Sequence, residues 1–194
     1  MLKKEHRSAL FVLFFGVGMG CFSKFLDCTP SNELPFFLEY LDVRNFLGRF
    51  GIWVLLGLWL SLRSASARWA ALHALLFFFG MVSAYYLYSK FVAGFFPGRY
   101  ALLWFGFAAA SGVLALPCWY AGRKGIPALA LCVLLLAVLF RCCFAGGWLY
   151  VYPRSLLELL VYLCGIVILR RDSLRENVIM TALGTVLGFL LVLV

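Results

Sequence analysis

Charge is scarce in this chain, and acidic charge is the scarcest. Charged residues make up 13% of its 194 residues, with 8 Asp and Glu against 17 Lys and Arg, whereas soluble domains are about 25% charged. Hydrophobic residues make up 65% of the chain, and soluble domains are only about 45–50% apolar. A soluble fold this apolar would expose much of that surface to water, so the composition predicts an all-α transmembrane helical bundle. The apolar runs are continuous, unlike the short alternating strands of a transmembrane barrel.

Sequence motifs of enzymes and metal sites are missing as well. The chain contains no HExxH, GxSxG or P-loop motif and no CxxC pair, each of which is tied to a defined chemistry. Its only histidines are His6 and His73, so a histidine-based metal site lacks ligands, and His73 is expected to be a packing or interfacial residue. The sequence therefore predicts no catalytic residue, no metal and no cofactor, and an intramembrane enzyme is the least favoured function.

Seven apolar runs are present where a membrane-spanning helix needs about 20 residues. The sixth and seventh runs are short, so an alternative is six spans with one run lying partly in the interface. No linker or second domain is evident, and the whole chain, 1–194, is predicted to be one transmembrane domain. The loop 27–45 is expected to hold a short interfacial helix capped by Asn32 or Ser31. The predicted spans are roughly 9–25, 46–62, 69–89, 100–120, 126–144, 154–169 and 177–194.

The first run also has the order of a lipoprotein signal, namely a basic start, an apolar stretch and Cys21. Gly18 stands where such signals usually carry a larger aliphatic residue, so an uncleaved first span is predicted. Most of the seven cysteines lie in apolar runs, where a free thiol behaves as a small hydrophobe. Cys28, Cys142 and Cys143 fall on one predicted side, and the sequence leaves a disulfide among them open.

The basic residues are unevenly distributed between alternate connections. Ten basic and three acidic residues fall on the N-terminal side, and seven basic and five acidic residues fall on the other. Because cytoplasmic loops are enriched in Lys and Arg, the N-terminus is predicted to be cytoplasmic in a bacterial plasma membrane, with the lipid bilayer as the main partner. This bias accounts for much of the net charge of +9 without a nucleic-acid partner. Aromatic residues mark the predicted outer interface at Tyr85, Tyr86, Tyr88, Trp148, Tyr150 and Tyr152, and the inner one at Trp69 and Trp119.

Small residues recur at a spacing of four in three predicted spans. Residues four apart share a helix face, and small side chains allow close backbone approach. The first interpretation is helix packing within the chain, and the second is a face that docks a partner membrane protein. The pairs are Gly16 and Gly20, Ala108 and Gly112, and Gly184 and Gly188.

Four arginines, Arg49, Arg99, Arg141 and Arg154, are predicted near the ends of spans at the outer surface. They are expected either to snorkel to headgroups or to line a basic vestibule for an anionic solute or headgroup. Glu158 is the only acid well inside a predicted span, and a charge there is costly unless it is paired, protonated or hydrated. It is expected either to pair with Arg154, Arg141 or Arg49 or to handle a substrate or a proton.

Three segments, "LGRFGIWVLLGLWLSLRS" (47–64), "FFFGMVSAYYLYSKFVAGFFPGRYALLWF" (77–105) and "LPCWYAGRKG" (116–125), resemble those of small, uncharacterised bacterial integral membrane proteins. The resemblance covers the middle half to two thirds of the chain and implies no activity and no site. In size and hydrophobicity the chain is also similar to the substrate-binding subunits of energy-coupling-factor vitamin transporters. Those subunits have six spans with both termini inside and dock a partner through small residues on the first helix, which Gly16 and Gly20 would match.

The leading expectation is a transport-type membrane protein that admits a small solute or lipid headgroup of unknown identity from the outer side. Its substrate would be handled by the four outer arginines and Glu158. The alternative is a non-catalytic accessory subunit that docks another membrane protein through the small-residue faces.

Overall fold

The computed structural model describes residues 2–147 and 150–193, and the side chains of these residues apart from 2–7 and 31. The described part is helical with one short β-hairpin, which confirms the all-α class. Trp148, expected in the outer aromatic belt, lies outside the described residues. The elements, in order, are α1 (Leu2–Cys28), a 3-10 turn (Ser31–Glu33), α2 (Phe36–Tyr40), α3 (Val43–Leu47), α4 (Phe50–Arg63), α5 (Ala67–Phe91), α6 (Gly98–Ala121), α7 (Ile126–Cys143), β1 (Phe144–Gly147), β2 (Tyr150–Pro153), α8 (Leu156–Ile168) and α9 (Leu174–Leu193).

Five of the described helices are long and apolar enough to cross a membrane by length and composition: α1 over Ser8–Cys28, then α5, α6, α7 and α9. The predicted seventh span is therefore not short, since α9 has 20 residues. The sixth run is short as predicted, since α8 has 13 residues, and the other short apolar helix is α4, with 14. At 1.5 Å per residue each is about 20 Å long, which is less than the roughly 30 Å of a bilayer's hydrocarbon core.

The second predicted span is interrupted before it becomes a full helix. Gly48 ends α3, and Arg49 has an extended backbone (φ −103°, ψ 159°) that starts α4. The loop before it was expected to hold one interfacial helix, but that helix is split into α2 and α3 by Asp42, whose backbone is left-handed (φ 51°). Pro35, rather than Asn32 or Ser31, precedes α2 as its N-cap. Asn45 Nδ2 donates to Asp42 Oδ1 at 2.7 Å and stabilises this break.

The connection between α7 and α8 is a β-hairpin that the sequence analysis did not predict. Its strands are antiparallel, with Phe144 opposite Pro153 and Gly146 opposite Val151. A Cβ on Gly146 would overlap the carbonyl oxygen of Tyr150, so glycine lets the strands approach. The hairpin also moves the start of the next helix, because Arg154 N donates to Cys143 O at 3.0 Å and α8 begins only at Leu156.

The predicted small-residue faces lie inside the bundle. A Cβ on Gly16 or Gly20 would overlap the carbonyl oxygen of Phe77 or Met81, so α1 packs backbone to backbone along α5 in the same direction. Gly184 and Gly188 place α9 along α7 in the same way, against the side chains of Leu136 and Phe140. Gly112 of α6 contacts the Leu75 side chain of α5, and Ala108 is buried beside Val82 and Tyr86.

Helix α4 occupies the centre of the described bundle and contacts α5, α6, α7 and α8. Residues 64–66 join it to α5, so the two helices are level at this end. Since α5 has 25 residues and a length of about 37 Å, it continues well beyond the first residue of α4. The start of α4 therefore lies within the bundle, beside the middle of α5.

Candidate functional site

A cavity of about 470 Å³ opens between α1, α4, α5 and α6, above the start of α4. It exists because α4 is short: Gly48 and Trp53 form its floor, while Met81 and Tyr85 of the longer α5 form one wall. Aromatic side chains dominate the lining and come from three helices and a loop: Trp53, Tyr85, Tyr86, Phe95, Tyr100 and Trp104. A cavity of this size and lining is typical of small-molecule sites.

Two side chains of opposite charge enter this cavity from the last two turns of α1. Lys24 and Asp27 are three residues apart and share a helix face, and both line the cavity. Tyr85 of α5 contacts both, because its hydroxyl donates to Asp27 Oδ2 and Lys24 Nζ lies 4.9 Å from its ring centroid. All three positions depend on the close packing of α1 on α5 at Gly20. We call Lys24, Asp27 and Tyr85 the α1–α5 cluster.

Three other polar side chains around the cavity already have partners. Arg44 Nη2 donates to the backbone carbonyl of Asp27 at 3.1 Å, and Trp53 Nε1 donates to Leu47 O at 2.8 Å. Ser89 Oγ donates to Phe95 O at 2.6 Å. Within the described residues, Asp27 Oδ1 accepts no hydrogen bond and Lys24 Nζ donates none, and the two side chains form no ion pair with each other. The cavity therefore contains one charged acceptor and one charged donor available to a ligand.

Glu158, singled out from the sequence, lies in a different setting. It is fully buried, and its Oε1 accepts from Arg49 Nη1 at 2.7 Å. Its other carboxylate oxygen accepts from the Ser155 hydroxyl. Arg49 also lies 3.8 Å from Asp42 through Nη2. Of the three arginines proposed as partners, Arg49 is the one that pairs with Glu158, and the pair joins the starts of α4 and α8.

Glu158 lies nearer the start of its helix than the sequence predicted, because α8 starts later than expected. Ser155 is the N-cap of α8 and accepts from Glu158 N at 3.5 Å. Glu158 therefore lies in the first turn, where a carboxylate is favoured by the helix dipole. The Ser-x-x-Glu spacing at 155–158 is a capping-box pattern in front of an apolar run, and it could have located this start from the sequence.

The remaining predicted site residues lie outside both the α1–α5 cluster and the Arg49–Glu158 pair. Arg99 lies in the first turn of α6, Arg141 in the last turn of α7, and Arg154 before α8, and all three are exposed. Within the described residues none of them forms an ion pair. Arg99 adjoins Tyr100 at the rim of the cavity.

Lys24 and Asp27 were not singled out from the sequence. A signal was available, because Lys24 falls inside the first predicted span and Asp27, three residues later, is the first residue of the predicted loop. Their tyrosine partner, 58 residues away from Asp27, could be recognised only once the packing of α1 on α5 was known.

The opposite end of the bundle is organised by hydrogen bonds within the protein. Arg171 donates from Nε to Glu176 at 3.0 Å and from Nη1 to the carbonyl of Ala121 at 3.2 Å. His73 is buried and lies 2.8 Å from the Ser64 hydroxyl through Nδ1. The cysteines are free thiols in the described structure, and no group of three potential metal-ligating side chains occurs in the same residues.

No family model matches the chain, and no curated protein or solved structure shows significant similarity to it. The resemblance to small bacterial integral membrane proteins therefore stays a prediction.

Proposed function

We propose that the chain is a transport-type protein of a bacterial cytoplasmic membrane that takes up a small solute or a lipid headgroup from the outer side. The binding site is the cavity between α1, α4, α5 and α6. The observation that carries the proposal is the α1–α5 cluster, in which Lys24 and Asp27 face an aromatic cavity without pairing with each other. Both side chains are half-buried, and a ligand that pairs with them gains charge-assisted hydrogen bonds beside an apolar lining.

The proposed topology has seven membrane segments with the N-terminus inside. Five are the long helices, and α4 and α8 are the two half-length segments. The Lys and Arg bias of the connections supports this orientation. It places the cavity and the β-hairpin at the outer face, and the loops around Arg123 and Arg171 at the inner face.

The predicted charged residues take different roles in this proposal. Arg49 and Glu158 hold the starts of α4 and α8 together and thereby support the cavity floor. Arg99, Arg141 and Arg154 lie exposed at the same end and attract anionic groups to the outer face by long-range electrostatics. None of these five residues lines the cavity. The proposal therefore assigns the ligand contacts to Lys24, Asp27 and Tyr85, which do line it.

An unbiased capture experiment tests the proposal. The protein is purified in detergent, incubated with a polar metabolite and lipid extract of bacterial cells, and washed, and the retained small molecules are identified by mass spectrometry. Wild-type protein is expected to retain a compound that Asp27→Asn loses. Glu39→Gln is the matched control, because Glu39 is an exposed acid outside the cavity.

The captured compound is then offered to proteoliposomes, where accumulation with the wild type and loss with Asp27→Asn supports transport. Equal retention of every compound by wild type and Asp27→Asn would contradict the proposed site. Alkaline phosphatase fused after residue 194 tests the orientation, since seven segments with the N-terminus inside place that end outside, where the enzyme is active.

The accessory-subunit alternative is based on the small-residue faces as docking surfaces. Gly16, Gly20, Gly112, Gly184 and Gly188 each contact another helix of the same chain. Since these faces are occupied, they do not favour the alternative.

A further inference from the structure

The charge content of the cavity restricts the class of ligand. Its lining contains one ammonium group, Lys24, and one carboxylate, Asp27, so the two formal charges sum to zero. Arg44, a further cation beside Asp27, is directed to the backbone carbonyl of that residue and does not line the cavity. A ligand with a single charge would pair with one of the two groups and leave the other without a partner.

Each of the two charged groups is only partly compensated by the protein. The Tyr85 hydroxyl donates to one oxygen of Asp27, and the face of the same ring lies under Lys24. Asp27 Oδ1 therefore remains able to accept a hydrogen bond from a ligand, and the Lys24 ammonium remains able to donate one. Since one tyrosine contacts both, the two free positions lie close enough to be reached by one small molecule.

The rest of the cavity favours an apolar or aromatic body. Trp53 lines the floor and Tyr86, Tyr100 and Trp104 line the walls, and their faces suit rings, methylene groups and ammonium groups. Their hydroxyl and indole N–H groups are uncharged, so Lys24 and Asp27 are the charged partners that the lining offers to a charge on the ligand.

We propose that the ligand is zwitterionic, with an ammonium group that pairs with Asp27, a carboxylate or phosphate that pairs with Lys24, and an apolar portion against the aromatic walls. The inference depends on the proposed function, because it names the ligand class of the same cavity. An aromatic or aliphatic amino acid and an ethanolamine phospholipid headgroup share this chemistry.

A charge series in the wild-type protein tests the inference. Binding to protein in an uncharged maltoside detergent is measured by isothermal titration calorimetry. Three probes share one body: L-phenylalanine is a zwitterion, phenethylamine a cation and 3-phenylpropionate an anion. Two short lipids, dihexanoyl phosphatidylethanolamine and dihexanoyl phosphatidylglycerol, repeat the comparison for headgroups of net charge zero and minus one.

We expect phenylalanine or the ethanolamine lipid to bind about tenfold or more tightly than its singly charged counterparts, since each adds one charge-assisted hydrogen bond. Which of the two binds identifies the source as a free solute or a lipid. A singly charged probe that binds as tightly as the matched zwitterion overturns the inference. Failure of all five probes to bind also overturns it.

Two single substitutions test whether both charged groups bind the ligand. In a site with two charges, each substitution removes the contribution of one group and leaves that of the other. Asp27→Asn should reduce phenylalanine affinity to that of 3-phenylpropionate, because Lys24 remains, and Lys24→Gln should reduce it to that of phenethylamine. Glu39→Gln and Lys90→Gln are the matched controls, because both residues are exposed at the same end and outside the cavity. The same loss for zwitterion and ions in both variants would overturn the inference.

The outcomes separate this inference from the proposed function. A singly charged compound whose retention depends on Asp27 keeps the cavity as the binding site and rejects the zwitterion. If no compound depends on Asp27 for its retention, the site itself is rejected. The wild-type charge series needs no variant, so it remains decisive if a substitution prevents folding.

Discussion

Two outer helices pack on inner helices through glycines, but in different ways. Gly16 and Gly20 bring α1 against the backbone carbonyls of α5, whereas Gly184 and Gly188 bring α9 against side chains of α7. A Cβ added at Gly184 or Gly188 would lie 3.0 or 2.5 Å from the Cβ of Leu136 or Phe140, whereas one added at Gly16 or Gly20 would meet a carbonyl oxygen at still shorter range. The α1–α5 contact is therefore the closer of the two.

The closer contact lies beside the cavity, and the looser one lies on α7, the helix that also contacts α8. Lys24 and Asp27 are not paired with each other, so their positions depend on how α1 is held. Glu158 has both carboxylate oxygens engaged by Arg49 and Ser155, so its position follows from its own partners. The difference indicates that backbone packing is used where polar groups are left available to a ligand.

The largest expected effect on stability comes from breaking the Arg49–Glu158 ion pair. Arg49→Ala leaves the fully buried Glu158 without its cation, and breaking a buried pair in this way costs about 3–5 kcal/mol. Unfolding free energy in an SDS titration measures the loss. The exposed Arg154 is the matched control, and Arg154→Ala should be nearly neutral. Equal destabilisation by the two substitutions would show that the Glu158 pair is not a structural support.

The next largest effect on stability comes from disrupting the contact between α1 and α5 beside the cavity. Gly20→Ala places a methyl group on the Met81 carbonyl and forces α1 away from α5, which we expect to cost about 2–3 kcal/mol as overpacking. Gly18→Ala is the control on the same helix, because nothing lies within 4 Å of an added Cβ there. It should be neutral or stabilise the helix by about 0.5–1 kcal/mol. A similar result for Gly18 and Gly20 would argue against the close contact.

A smaller effect sharpens the comparison between the two glycine contacts. Gly184→Ala places a methyl group 3.0 Å from the Leu136 Cβ, so α9 and α7 have to separate by only a few tenths of an ångström. We expect a loss of about 1 kcal/mol, at the lower end of overpacking effects. Thermal unfolding of the two alanine variants in the same detergent measures the difference. A loss at Gly184 that exceeds the loss at Gly20 would contradict the assignment of α1–α5 as the closer contact.

The smallest effect on stability is expected at the cavity. Tyr85→Phe removes the hydroxyl that donates to Asp27 but keeps the ring, so the unfolding free energy should fall by only about 0.5–1.5 kcal/mol. Ligand affinity should fall about tenfold, because Asp27 loses its orientation. Tyr150→Phe, at an exposed ring in the hairpin, is the control for both measurements. A large stability loss with unchanged binding would make Tyr85 a structural residue only.

The sequence predicted the helical class and the approximate positions of the five long helices, because continuous apolar runs are a strong signal. It failed where a short polar signal lies within an apolar background. Gly48 and Arg49 break the second run, and Ser155 with Glu158 caps the sixth, but average hydropathy conceals both features. The alternation in 144–153 is too short to distinguish a hairpin from a turn.

The cavity could not be predicted for a different reason. Helices that are apolar on all faces carry no stripe that shows which face packs on which neighbour. Gly16 and Gly20 indicated a contact but not its partner, and the proximity of Lys24 and Asp27 to Tyr85 follows from that partner. Glu158 was recognised as unusual from its depth alone, whereas the choice of Arg49 over Arg141 and Arg154 required the folded structure.

The shortness of α4 and α8 has a consequence for membrane voltage. Their starts are joined by the Arg49–Glu158 pair, and the cavity fills the space above α4. If water enters that space, the transmembrane potential falls across about 20 Å of helix instead of about 30 Å of hydrocarbon, and the local field is steeper by about one half. Moving a unit charge through the full potential changes its energy by about 2.3 kcal/mol per 100 mV. A ligand with no net charge would cross the same layer with no such dependence.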